Sequence, residues 1–274
     1  MTDTDVQITA DALTSLRSTS PLAVELGLDC PYDSLFANEA GRGLAEMALS
    51  LDPVYEQYNM VRYKWFTERL NAAAEGFEQI VLLGVGFDTR ALTLPALTGG
   101  DCQVFEADFP DTLSQKHAVL ARAEVAVPPY IHFVPIDLAD GDPAAALRDA
   151  GLKPDMPAAV FMEGVSFFLP RETAQALVDP KTLGLIPGSR FAIDCWTRPR
   201  ADGLNAKLEA KTGNRLFGAS PFGDSASDIE TLLTQQGYRD SAVSDLGSVA
   251  GRYGLEPIAD PLGESWFVVD TRLR

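Results

Sequence analysis

The chain has 274 residues, 39 acidic against 22 basic side chains, and a net charge of −17 with an isoelectric point near 4.4. Such a surface repels phosphate backbones and anionic lipid headgroups, so nucleic acid and membrane partners are not expected. With 46% hydrophobic residues and no apolar run near the roughly 18 residues of a bilayer span, it reads as a large α/β domain with a full core.

The opening residues Met1-Thr2-Asp3-Thr4-Asp5 are acidic and lack the basic-then-apolar layout of a secretory signal. The three cysteines, Cys30, Cys102 and Cys195, are widely spaced and form no C-x-x-C. Both features point to a reducing, cytoplasmic setting without a disulfide or metal framework. Residues 1–75 read as an N-terminal helical segment, with helices expected at 10–16, 38–49 and 54–74. In the last of these Tyr58, Val61, Trp65, Phe66 and Leu70 are spaced for one apolar face. The core domain is expected over 76–274, where the pattern becomes strand, helix, strand. Strands are expected at 79–84, 102–107, 130–135, 158–163, 189–195, 238–245 and 264–270. Helices are expected between them at 88–97, 111–123, 141–150, 171–184 and 226–236. That alternation predicts a mostly parallel seven-stranded sheet covered by helices on both faces. Residues 198–225 are too long for an ordinary connection and read as a lid-like insertion or substrate wall.

The chemistry is concentrated at the predicted strand ends. Ile80-Val81-Leu82-Leu83 runs into Gly84-Val85-Gly86-Phe87-Asp88-Thr89-Arg90, a buried strand breaking into a glycine turn that a ligand can approach closely. A dinucleotide fingerprint would place a third small residue at 89, where this chain has Thr89, and Asp88 would oppose a pyrophosphate. A cofactor without a pyrophosphate, S-adenosylmethionine, is favoured. The alternative is a plain turn with Asp88 as a helix cap. In the second strand Glu106 and Asp108 share a face, and one or both are placed to accept hydrogen bonds from ribose hydroxyls. Asp137 and Leu138 end the third strand, where the adenine amino group would be met; capping of the next helix by Asp137 competes with that reading. Glu163 ends the fourth strand, and a carboxylate there needs a cationic partner.

Leu-Gly-x-Gly-x-Asp-Thr-Arg, Phe-Glu-x-Asp-x-Pro, Asp-Leu and Glu-Gly-Val-x-x-Phe-Leu-Pro, in that order, resemble the leucine carboxyl methyltransferase family, closest to bacterial polyketide O-methyltransferases of the tetracenomycin-pathway type. The resemblance covers roughly residues 55–195. It implies a class I, Rossmann-like methyltransferase fold that uses S-adenosylmethionine. It also implies that Arg62, on the helix before the first strand, binds the cofactor carboxylate, and that Gly84 contacts the cofactor. Asp108 rather than Glu106 corresponds to the family's ribose acid, with Asp137, Leu138 and Glu163 at the remaining positions. Arg17 is the nearest candidate for a further N-terminal basic contact.

For the acceptor, the sequence offers Trp196 and Arg198 after the fifth strand, with Arg198 placed to hold an anion, and Tyr58, Phe168, Phe217 and Phe222 as aromatic walls. The only histidines, His117 and His132, read as structural. That scarcity of bases favours a carboxylate acceptor, ionised at neutral pH, on an aromatic or polyketide-like small molecule. A phenol acceptor is the alternative. A nicotinamide-dependent oxidoreductase is the competing class, but the third glycine and a Tyr-x-x-x-Lys pair are both missing.

Overall fold

The computed structural model describes residues 3–28, 30–99, 102–218 and 222–274, with side chains from residue 9 onward. Met1 and Thr2, and Ala219, Ser220 and Pro221 of the expected insertion, lie outside the described residues. The N-terminal segment is helical: α1 (Asp3–Thr19), α2 (Pro21–Glu25), α3 (Asp33–Phe36), α4 (Glu39–Leu51) and α5 (Tyr55–Gly76). Asn38 caps α4 through its side chain, which accepts from the Gly41 amide.

Seven strands follow: β1 (Gln79–Leu83), β2 (Gln103–Asp108), β3 (Ile131–Pro135), β4 (Ala159–Met162), β5 (Arg190–Trp196), β6 (Tyr238–Asp245) and β7 (Trp266–Leu273). They form one sheet in the order β3-β2-β1-β4-β5-β7-β6. The sheet is mixed: β1 to β5 pair in parallel, whereas β7 runs antiparallel between β5 and β6. The strand sequences were expected at these positions; the reversed direction of β7 has no counterpart in an apolar run, which reads the same both ways.

Two expected helices are broken. Residues 88–97 give α6 (Arg90–Thr93) and α7 (Pro95–Thr98), and 171–184 give α10 (Arg171–Val178) and α11 (Pro180–Leu183). Each break precedes a proline, which pushes Leu94 and Asp179 into extended backbone. Elsewhere α8 (Pro110–Arg122), α9 (Pro143–Asp149) and α13 (Ala226–Gln235) fall where expected, and α14 (Leu246–Arg252) is an addition. The insertion is built mainly on α12 (Arg198–Thr212).

Alternation along the strands divides the core between the two sheet faces. Ile80, Leu82, Ala159, Phe161 and Ala192 pack toward α5 and the N-terminal helices. Val81, Leu83, Val160, Met162 and Ile193 pack toward the opposite layer. The chain reverses its direction of travel across the sheet between β1 and β4. In open α/β sheets that switch point leaves a crevice beyond the carboxyl ends of the strands.

Candidate functional site

A cavity of about 340 Å³ occupies that crevice, roofed by α1, α4, α5 and α12. Its volume is within the range of small-molecule sites. Among the sequence-selected residues, Arg17, Arg62, Gly84, Gly86, Asp88, Asp108, Asp137, Leu138, Glu163, Phe168, Trp196 and Phe217 all line it. They come from eight separate stretches of chain brought together by the fold.

The first turn explains its glycines. Gly84 has φ +65°, and a Cβ there would lie 2.3 Å from a methyl of Val165. Gly86, at φ +52°, donates its amide to Oδ2 of Asp108 at 2.6 Å. The other Asp108 oxygen accepts from the Phe109 amide at 2.7 Å. Two backbone donors thus fix the carboxylate at the tip of β2, where it lines the cavity.

Glu106 corrects the alternative assignment. It shares the face of Asp108 but sits two residues back along β2, roughly 6.6 Å deeper. There it is 1% exposed and pairs with Lys116 of α8 at 2.6 Å, away from the cavity lining. Burial pushes its carboxyl upward despite the Lys116 ammonium. Glu106 is a core ion-pair member, and the register places Asp108 alone at the cavity.

An alternating ladder of charge runs along one end of the cavity. Asp33 holds Arg17 through two hydrogen bonds, at 2.6 and 3.0 Å. The ring of Tyr63 lies between Arg17 and Arg90, whose guanidinium carbons are 4.5 and 4.2 Å from its centre. Arg90 binds Asp88 and Glu163; Glu163 also meets Arg62 at 3.3 Å; Arg62 reaches Asp194 at 3.3 Å. Burial opposes ionisation of Asp88, but the charge and hydrogen bonds of Arg90 outweigh it and hold the carboxyl at about 2. Four carboxylates alternate with three guanidiniums along this ladder; Asp33 and Asp194 close its two ends in the protein interior, while Asp88 and Glu163 reach the cavity. Nη2 of Arg62 makes no hydrogen bond among the described residues and lies beside Gly164, which also lines the cavity.

Sequence reasoning missed three charged members of the ladder, Asp33, Arg90 and Asp194. Arg90 carries no role in the sequence beyond ending the glycine turn. Asp194 was hidden inside an apolar strand, although a carboxylate in Phe-Ala-Ile-Asp-Cys-Trp is itself a signal of a buried partner. Asp194 accepts from the Gly164 amide at 2.6 Å and the Trp266 indole at 3.0 Å, tying β5 and β7 to the turn after β4. Burial, outweighing its cationic partner Arg62, raises its carboxyl.

At the end of β3, Asp137, Leu138 and Ala139 line the cavity. Asp137 folds onto its own turn by accepting from the Ala139 amide at 2.8 Å, and Asp142 is the residue that caps α9. The competing capping role of Asp137 is therefore taken by another side chain.

The other end of the cavity is apolar. Trp196 stacks on Phe167 with ring centres 4.0 Å apart, and Phe217 meets Trp196 edge-on at 4.6 Å. Phe168 completes this aromatic wall. Asn205 of α12 pins the 216–217 segment, accepting from the Leu216 and Phe217 amides at 3.1 Å and donating to the Phe217 carbonyl at 2.9 Å.

Three acceptor candidates are corrected. Arg198 begins α12 on the outside, with 59% of its side chain exposed and Asp224 as its partner. Phe222 is buried in the core on the opposite face of the sheet. Tyr58 packs edge-on to Trp266 and borders a separate small cavity; Tyr55, three residues earlier on α5, lines the main one instead. The helical face was read one step off because both tyrosines border the same apolar stripe. His117 is exposed on α8, and His132 stacks on Phe105 and bonds Gln103, so neither lines the cavity. The cysteines are unpaired thiols, and no cluster able to hold a metal ion occurs among the described residues. No described helix is long and apolar enough to cross a membrane.

Comparison with known proteins agrees with this geometry. Residues 20–181 match the family described as leucine carboxyl methyltransferase. A Mycolicibacterium gilvum protein, named as an S-adenosyl-L-methionine-dependent methyltransferase, is 31% identical over 93% of this chain and 86% of its own. A Parafrankia protein of the same designation is 38% identical over 58% of this chain, a match that spans half of that protein's length. A methyltransferase-designated structure from Thermobifida fusca superposes with a TM-score of 0.64 at 20% identity, covering 89% of this chain and 93% of that one. The architecture is that of the class I methyltransferases, and the chain belongs to the leucine carboxyl methyltransferase family.

Proposed function

We propose that this protein transfers the methyl group of S-adenosylmethionine to a carboxylate oxygen of a small-molecule acceptor, forming a methyl ester. The observation that carries the reading is the division of one cavity into a charged half at the strand tips and an apolar half under α4 and α12. The donor set suits this cofactor. Asp88 in the glycine turn and Glu163 at the tip of β4 would repel a pyrophosphate, whereas a sulfonium and an ammonium are welcome beside them. Relatives named as S-adenosyl-L-methionine-dependent methyltransferases support the same choice.

In this reading Arg62 and Arg17 take the cofactor carboxylate, the former through its open Nη2. Asp108 accepts from the ribose hydroxyls, while Gly84 and Gly86 let the backbone approach. Asp137 and Leu138 border the adenine. Glu163 and Asp88 lie toward the cationic end of the tail. When bound, the cofactor supplies an activated methyl group: the acceptor oxygen forms the new O–C bond, the C–S electron pair returns to sulfur, and no proton moves.

The residues around the acceptor have a narrow task, to align it and exclude water, which can contribute about 7–11 kcal/mol. Among the described residues they hold no histidine, lysine or cysteine. Burial pushes the Tyr55 phenol to about 12, out of range for a base at neutral pH. An acceptor that arrives ionised fits such a site better than one needing deprotonation, which favours a carboxylic acid over a phenol. Incubation with methyl-labelled S-adenosylmethionine and a panel of acids and phenols tests the reading. Label in a base-labile ester is expected; label in a base-stable aryl ether would replace the carboxylate with a phenol.

A further inference from the structure

The apolar half of the cavity has a shape as well as a polarity. Leu44, Met47, Ala48 and Leu51 of α4 all line it, at i, i+3, i+4 and i+7. That spacing puts them on one face of the helix. Seven helical steps make this stripe roughly 10 Å long. Leu204 and Leu208 of α12, one turn apart, line the cavity too, and the Phe168–Trp196–Phe217 wall closes it toward the strand ends.

Polar side chains are few in this half. Asp52 is locked to the fully buried Arg200, and Asn59 donates to the Tyr55 carbonyl at 2.7 Å. The cations that line the cavity, Arg17, Arg62 and Arg90, all lie on the charge ladder with carboxylate partners. A second charge on the acceptor would therefore be buried without a partner, which is strongly unfavourable. Leucine and methionine conform to varied apolar shapes, so the stripe sets length and polarity more than outline.

We infer that the acceptor is an apolar monocarboxylic acid with a body on the order of 10 Å long, laid along the α4 stripe with its carboxylate toward the charged half, and that Ala48 and Leu208 set the length accepted. This inference rests on the methyl-transfer reading above and narrows it. The chemistry is shared by straight-chain fatty acids and by extended aromatic acids, and both are included in the test.

The experiment measures ester formation from labelled S-adenosylmethionine with acetate, butyrate, hexanoate, octanoate, decanoate, 2-naphthoate and the dicarboxylate suberate. Cofactor affinity is measured separately by calorimetry. Among the straight-chain acids, kcat/KM is expected to rise by up to roughly fourfold per buried methylene until the stripe is filled. Suberate should fall at least about tenfold below octanoate, since its second carboxylate is buried unpaired. Ala48→Phe should move the optimum to shorter acids, and Leu208→Ala should move it to longer ones, with cofactor affinity unchanged in both. Preference for octanoate or for 2-naphthoate supports the inference and identifies which wall governs. A flat length profile, a preference for suberate, no ester from any of these acids despite cofactor binding, or variants that leave the profile unmoved would overturn it. Absence of cofactor binding by the wild-type protein would instead remove the methyl-transfer reading itself.

Discussion

The two halves of the cavity are built by opposite physics. The charged half sits on strand tips, turns and α5, where Arg62, Arg90 and Asp194 are buried, and Asp88 and Glu163 partly buried, each against an opposite charge. The apolar half is made by helices and by a segment held through Asn205, with dispersion and exclusion of water as its resources. A buried ion pair is worth little against an apolar replacement but is severely missed when one partner goes. Changes in the charged half should therefore be abrupt, and changes in the apolar half should be graded.

The sharpest contrast sets two buried ion pairs side by side. Arg62→Ala leaves Glu163 and Asp194 short of a partner, and Glu106→Ala does the same to Lys116. Each is expected to destabilise the protein by about 3–5 kcal/mol in denaturant unfolding. In calorimetry on the folded fraction, only Arg62→Ala should abolish cofactor binding. If Glu106→Ala also does so, the second strand is displaced from its assigned register. The double change Glu106→Leu with Lys116→Met should recover most of the loss, because an apolar pair replaces a desolvated ionic one.

Asp108→Ala comes next. It removes the proposed ribose acceptor together with the partner of the Gly86 and Phe109 amides. A loss of about 1.5–3 kcal/mol in cofactor affinity is expected, the range for hydrogen bonds to a charged group, with the circular dichroism spectrum unchanged.

Asp88 gives a pH signature. Its carboxyl, held at about 2 against an ordinary 3.8, contributes stability that is present above pH 3.8 and lost as the pH falls toward 2. Asp88→Asn should therefore be less stable than wild type at pH 5 and 6, with the gap closing under acid. A gap that stays constant with pH would show that the carboxylate charge is not what matters. The smallest effect belongs to Arg198→Ala, an exposed pair with Asp224, where a change within about 0.5 kcal/mol and an unaltered acceptor KM are expected.

How much of this was legible in the chain depends on which half is considered. Gly84, Asp108, Asp137 and Glu163 could be read because each ends a strand, and strand ends are marked by a switch from apolar to glycine or acid. Arg62 came from the family resemblance, since one arginine on a helix carries no local mark of its partner. Glu106 remained open because spacing gives the face of a strand but not the depth at which α8 covers it; Lys116, ten residues later, is visible only once α8 folds back.

Of the apolar half, the aromatic wall of Phe168, Trp196 and Phe217 was legible, but the α4 stripe was not. Leu44, Met47, Ala48 and Leu51 have the spacing of any core-facing helix, and sequence cannot distinguish a stripe that meets protein from one that meets a ligand. Arg198 and Phe222 were misplaced for a related reason. Position after a strand tip gives proximity along the chain, while α12 turns Arg198 outward and the following segment carries Phe222 around to the other side of the sheet.

The central claim is that donor binding resides in the charged half alone. Calorimetric titration of S-adenosylmethionine into the wild-type protein, Arg62→Ala, Ala48→Phe and Arg198→Ala tests it directly. The account predicts a single site with equal affinity in wild type, Ala48→Phe and Arg198→Ala, and no measurable binding in Arg62→Ala. Full affinity in Arg62→Ala, or its loss in Ala48→Phe or Arg198→Ala, would contradict it.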